Sequence, residues 1–168
     1  QFQDSYKHIA SSLASIADTV NTLPLTTEYF KAKFPNTFDM KKITKLIFPY
    51  ELVTGFEILK MKEFPTKKQF HNSIKGDVDD DDYDYCQKLY NDSKAVSIGE
   101  FYEIYNIIDV KLLQDVFVNY RNDSIKIYEL DPVYSLTAPS FSFNAMLNYT
   151  KAEVGLITDA NIYEIFYS

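Results

Sequence analysis

One stretch, Ser97 to Tyr120 (SIGEFYEIYNIIDVKLLQDVFVNY), constrains this chain more than any other. Ser97 and Glu100 have the spacing of a capping box, in which two side chains satisfy the free amides that open a helix. No proline or central glycine interrupts the stretch. At about 100° per residue, Tyr102, Tyr105, Leu113, Val116 and Tyr120 share one face, and Glu100, Glu103, Lys111, Gln114 and Arg121 share the other. Asp109 falls in the middle of the apolar face. An ionised carboxylate there is costly unless it is paired or binds a metal. Tyr105 lies one turn before it on the same face. The pair reads either as a small catalytic device or as a buried acid that holds a partner helix or an arginine.

The 168 residues suit a single domain with a sizeable core. The 46% apolar and 24% charged fractions are those of a globular chain, and only four glycines argue against a turn-rich sandwich or barrel. A formal charge of −7 excludes a surface that is basic all over, although not a local basic groove. The lone cysteine, Cys86, forms no internal disulfide, so a reducing, intracellular setting is expected and secretion is not. No apolar run reaches the length of a membrane span, so no membrane partner is expected.

In chain order, residues 1–4 read as the end of a strand. Ser5 to Val20 carries Ile9, Leu13, Ile16 and Val20 at helical spacing, with Pro24 as the stop. Thr26 or Thr27 is placed to cap a short helix ending before Pro35. Residues 41–53 read as a short strand or extended piece with a turn at Pro49, and 67–74 as a short helix. The acidic run Asp77, Asp79–Asp82 and Asp84 lacks the glycine and glutamate of a calcium loop and is read as a solvated lead into a helix. The central helix is expected to stop at Asp131–Pro132. Another starts near Pro139, with Phe143, Met146 and Leu147 on one side, and Thr158 or Asp159 caps a last one. His8 reads as a helix-surface residue and His71 as a loop or helix-edge residue. No phosphate loop, zinc spacing or nucleophile elbow is present.

The motif Tyr105-Asn-Ile-Ile-Asp109 and the helix after it resemble the third exonuclease motif, Tyr-x-x-x-Asp, of the protein-primed family B DNA polymerases, nearest to the Maverick/Polinton, viral and linear-plasmid branch. Three other stretches agree in order. Asp4-Ser5-Tyr6-Lys7-His8-Ile9 resembles the Ser/Thr-Leu-x-x-hydrophobic motif, with Tyr6 in place of leucine. Lys45-Leu46-Ile47-Phe48 followed by Pro49-Tyr50-Glu51 resembles the Lys-x-x-hydrophobic motif and the Phe-Pro-Tyr-Glu after it. Leu130-Asp131-Pro132, Thr137-Ala138-Pro139 and Asn144-Ala145-Met146-Leu147 resemble the passage towards the polymerase domain.

The resemblance implies an α+β, mostly helical chain: part of a ribonuclease-H-like exonuclease domain with few strands. Residues 1–130 would form its C-terminal part, with a helical insertion at about 62–97, and residues 131–168 would lead towards the palm. It implies that Asp109 binds metal, that Tyr105 orients water or the scissile phosphate, and that Ser5, Tyr6 and Lys45 contact a single-stranded primer end. Two Mg2+ or Mn2+ ions would be shared with carboxylates outside this chain, since the Asp-x-Glu and Asn-x-x-x-Tyr/Phe-Asp motifs are absent here. The implied partners are DNA, the rest of the polymerase and a terminal priming protein. One aspartate cannot hold two metals, so the chain alone is expected to be inactive. A non-catalytic helical binding module derived from such a polymerase, and an unrelated helical scaffold, are the competing readings.

Overall fold

A computed structural model describes residues 4–20, 22–39, 42–43, 46–74, 76–155 and 157–167. Among them the chain is mostly helical: α1 (Leu13–Ala17), α2 (Pro24–Lys33), α3 (Phe56–Leu59), α4 (Asp80–Ser93), α5 (Ile98–Tyr128), α6 (Ala138–Thr150) and α7 (Ala160–Tyr167), with short 3-10 turns between. No strand occurs among the described residues. A lone antiparallel bridge joins Asn72 to Gly76. Residues 46–49, expected within a strand or extended piece, form no strand: the chain turns at Pro49, where the Tyr50 amide donates to the Phe48 carbonyl at 3.0 Å, and the Ile47 carbonyl accepts from the Cys86 thiol at 3.4 Å. The strand end expected at residues 1–4 lies mostly outside the described residues.

The chain divides into two compact units, one of residues 11–120 and one of residues 1–10 with 121–168. In the larger unit, Phe30, Phe34, Ile43, Cys86, Leu89, Ile98, Ile108 and Val116 are buried together with Thr26. Aromatic rings tie this core: Phe30 lies against Phe34 at 4.6 Å, and Phe64 against Tyr90 at 5.2 Å. The acidic run opens α4, with Asp80–Asp82 in its first turn, where negative charge suits the helix dipole. Burial, and secondarily the charge of Asp82, pushes the Cys86 thiol up to about 12, which makes it a packed, inert group.

Helix α5 starts as its sequence requires. The Ser97 hydroxyl accepts from the Glu100 amide at 3.3 Å, and the Glu100 carboxylate reaches back to the Val96 amide at 3.0 Å. Gly99 is needed in that first turn. A Cβ there would stand 2.9 Å from the Leu59 carbonyl oxygen of α3.

In the smaller unit, α5 ends with Glu129 in the left-handed region, just before Asp131–Pro132 as expected. Tyr128 packs edge-on against Phe141 at 6.0 Å, and Asn148 donates to the Tyr128 carbonyl at 2.6 Å. Asp131 binds Arg121 in a two-pronged ion pair and accepts from the Val133 amide at 3.1 Å. Thr137 caps α6 and Asp159 caps α7.

Four expectations are corrected. Ser5–Val20 is not one helix: Asp4 caps a 3-10 turn at Ser5–Lys7, and Ser12, in extended conformation, restarts the chain as α1. Serine and aspartate side chains compete for backbone amides and break helices where several cluster. Helix α2 begins at Pro24 rather than at Thr26 or Thr27, because its free amides are capped from α5. On α6 the buried side chains are Phe141 and Ala145, while Phe143 and Met146 are exposed. His8 is buried, with Nε2 bonded to the Ser135 carbonyl at 3.0 Å. His71 is exposed at the end of a 3-10 turn, 2.8 Å from Asp77.

Candidate functional site

The buried stripe of α5 runs through Phe101, Ile104, Tyr105, Ile108, Leu112, Asp115 and Val116. It is rotated from the face drawn on the sequence wheel. Leu113 is exposed, and Asp109 stands half-buried at the edge of the stripe, not at its middle. The wheel was misled because Ile104, Ile108 and Leu112 are as apolar as the tyrosines it favoured, and a uniformly apolar helix has no sharp face. The fully buried carboxylate is Asp115, only 2% exposed.

Asp109 keeps the local partner its sequence position suggests. The Tyr105 hydroxyl, one turn earlier, is hydrogen-bonded to the Asp109 carboxylate and to the Tyr50 hydroxyl. A carboxylate only accepts, so in its contact with Asp109 the Tyr105 hydroxyl is the donor. Phe48 and Tyr50 enter this cluster from the turn at Pro49 that leads into the 3-10 turn Tyr50–Leu52. The Phe48 ring lies 4.8 Å from Tyr102 and 5.5 Å from Tyr105, and the Tyr50 ring meets Tyr105 edge-on at 5.9 Å. Phe48, Tyr50, Tyr102 and Tyr105 therefore form one aromatic cluster.

Burial sets the electrostatics. It raises the Asp109 carboxyl above its usual range, and the Tyr105 hydrogen bond opposes the rise. Burial also lifts the Tyr105 hydroxyl well above an ordinary phenol. Its bond with Tyr50 and the charge of Asp109 add to that rise. Tyr50 is raised by burial, against the bond from Tyr105. Tyr105 is thus a neutral donor, and Asp109 an acid whose charge is favoured by any added cation. Among the described residues no ion pair involves Asp109; Arg121 is engaged by Asp131 instead.

The donor set limits what the site holds. Among the described residues there is no group of three His, Cys, Asp or Glu side chains placed to hold a metal. Asp109 offers one carboxylate with Tyr105 beside it, which is a single corner of a two-metal centre, so these residues do not hold such a pair by themselves.

The structure brings Tyr105 and Asp109 together. Ser5 and Tyr6 fall in the smaller unit, in the turn Ser5–Lys7, with Tyr6 62% exposed and Ser5 half-buried. Lys45 lies outside the described residues. Tyr50 is the site residue that sequence reasoning left without a role. Its signal was the Phe48-Pro49-Tyr50-Glu51 stretch, read only as a pattern. No helix among the described residues is long and apolar enough to cross a membrane. Comparison with protein-family models, curated proteins and solved structures finds no match to this chain.

Proposed function

We propose that this chain is part of a DNA-directed DNA polymerase of the protein-primed family B kind, supplying the third motif of its 3′–5′ proofreading exonuclease. In this reading the helical body belongs to a ribonuclease-H-like domain whose strands and other carboxylates are encoded elsewhere in the parent protein. One observation carries it: Asp109 is half-buried, meets the Tyr105 hydroxyl and is engaged by no cation among the described residues. A half-buried carboxylate without a counter-charge is stabilised in its charged form by an added cation.

Asp109 would contribute one carboxylate to Mg2+ or Mn2+ shared with acids outside this chain. When bound, such ions activate water and stabilise the leaving oxygen of a phosphodiester. Tyr105 keeps its proton at any physiological pH, so its role is to donate a hydrogen bond, never to act as a base. The Phe48 and Tyr50 rings pack against Tyr105 and restrict its side chain. Ser5, Tyr6 and Lys45 would hold the single-stranded primer end, with the Tyr6 ring free to stack on a base.

The flanking reading frame tests this reading. An in-frame Asp-x-Glu upstream and Tyr-x-Asp-Thr downstream support it; stop codons in their place contradict it. The second reading, a non-catalytic helical module that binds DNA or protein, is favoured by the absence of a metal-holding group among the described residues. It predicts DNA or partner binding that does not change when Asp109 is replaced by asparagine.

A further inference from the structure

Helix α5 carries a second surface that the Tyr105–Asp109 pair does not use. A shallow, open depression of about 480 Å³, mainly apolar, is lined by Glu103, Asn106, Ile107, Val110, Lys111 and Gln114, with Tyr102 of the aromatic cluster at its edge. Val110 is 65% exposed and Leu113 beside it 40% exposed, unusual for aliphatic side chains in the middle of a helix that buries its other face.

The charge pattern along this depression is self-complementary. Glu103 and Lys111 lie four residues before and four after Ile107. Pack two copies of α5 antiparallel about a two-fold axis at Ile107. Each Glu103 then faces the Lys111 of the other copy, Ile107 meets Ile107, and Val110 is covered on either side. A two-fold interface needs such a patch, one that pairs with itself when reversed. A parallel arrangement would instead set Glu103 against Glu103 and Lys111 against Lys111. The Lys111 ammonium rests 5.4 Å from the centre of the Tyr29 ring, whose hydroxyl also feels the charge of Glu103, so pairing with a second copy draws on a lysine already held at this surface.

We propose that this face of α5 is a homodimer interface, occupied by the α5 helix of a second copy in antiparallel orientation. The inference does not depend on the exonuclease reading, because it uses none of Tyr50, Tyr105 or Asp109.

Sedimentation velocity of the purified 168-residue chain over a range of concentrations tests it. The wild type should shift from monomer to dimer with concentration. Val110→Glu should raise the dimer dissociation constant at least about 10-fold. Glu103→Lys and Lys111→Glu should each weaken the dimer, and the double exchange should restore it, since only the direction of each pair is reversed. Glu103 and Val110 are exposed and Lys111 is half-buried, and unchanged circular dichroism establishes that each variant is folded. A wild type that stays monomeric throughout overturns the proposal. So does a double exchange that fails to restore what the single exchanges removed, or a face that binds single-stranded oligonucleotide in place of a second copy.

Discussion

Asp115 holds Thr26 by two hydrogen bonds to a single carboxylate oxygen, one from the backbone amide and one from the hydroxyl, each 2.8 Å long. Its other oxygen accepts from the Leu25 amide at 3.2 Å. An acid on α5 is thus the N-terminal cap of α2, whose own cap residue, Leu23, offers no side-chain acceptor. Asp115→Ala removes the cap and strands buried donors. It should lower stability by about 2–4 kcal/mol, the sum of a lost cap and an unsatisfied buried amide. Denaturant unfolding measures this; a loss below about 0.5 kcal/mol would show that water replaces the carboxylate.

Gly99 admits no side chain without moving backbone. Gly99→Ala gains about 1 kcal/mol of helix propensity but forces α3 and α5 apart, at about 1–3 kcal/mol. The variant should be net destabilised in thermal unfolding. Gly55→Ala, with no atom within 4 Å of the added carbon, is the control and should stay near the wild type.

Lys94 and Lys151 end α4 and α6 in the left-handed conformation at φ 57° and 53°. A side chain there costs about 1 kcal/mol relative to glycine, partly offset by the freer unfolded chain. Lys94→Gly and Lys151→Gly should each stabilise by about 0.5 kcal/mol, read as a higher midpoint in urea. A lower midpoint for both would contradict the backbone argument.

Much of the helical frame was legible in the sequence because it rests on local chemistry. Ser97 and Glu100, the acidic lead into α4, the stop at Asp131–Pro132 and the Asp159 cap all act within a few residues of themselves. The failures share the opposite cause. Helix α2 starts where it does because Asp115, about 90 residues away, satisfies its amides. His8 is buried because Ser135, 127 residues on, accepts from its ring. No window of sequence holds both partners. Asp109 and Tyr105 were found together because one helical turn joins them, whereas Tyr50 reaches the same cluster through tertiary packing alone.

Burial raises the Asp109 carboxyl, and the sign of that shift gives a pH prediction. A carboxyl raised in the folded state binds its proton more tightly there than in the unfolded chain. Its contribution to stability is whole below the ordinary aspartate value, about 3.9, and is lost as pH rises through the raised folded value. Asp109→Asn carries no such loss. Above about pH 4 its melting temperature should match or exceed that of the wild type, with the gap widening until the folded carboxyl is fully ionised. A structural acid held by a counter-charge behaves oppositely: its asparagine variant would be less stable by about 3–5 kcal/mol at neutral pH.

The most direct test of Asp109 as a metal ligand is Mg2+-dependent degradation of single-stranded DNA from its 3′ end. It should be measured on the longer polymerase proposed to contain this chain and on this chain alone. The account predicts activity in the parent that falls by more than about 100-fold with Asp109→Ala and by about 10- to 100-fold with Tyr105→Phe, while polymerisation continues. It predicts no activity in the 168-residue chain. Degradation by the isolated chain, or a parent whose exonuclease is unchanged by Asp109→Ala, would contradict it.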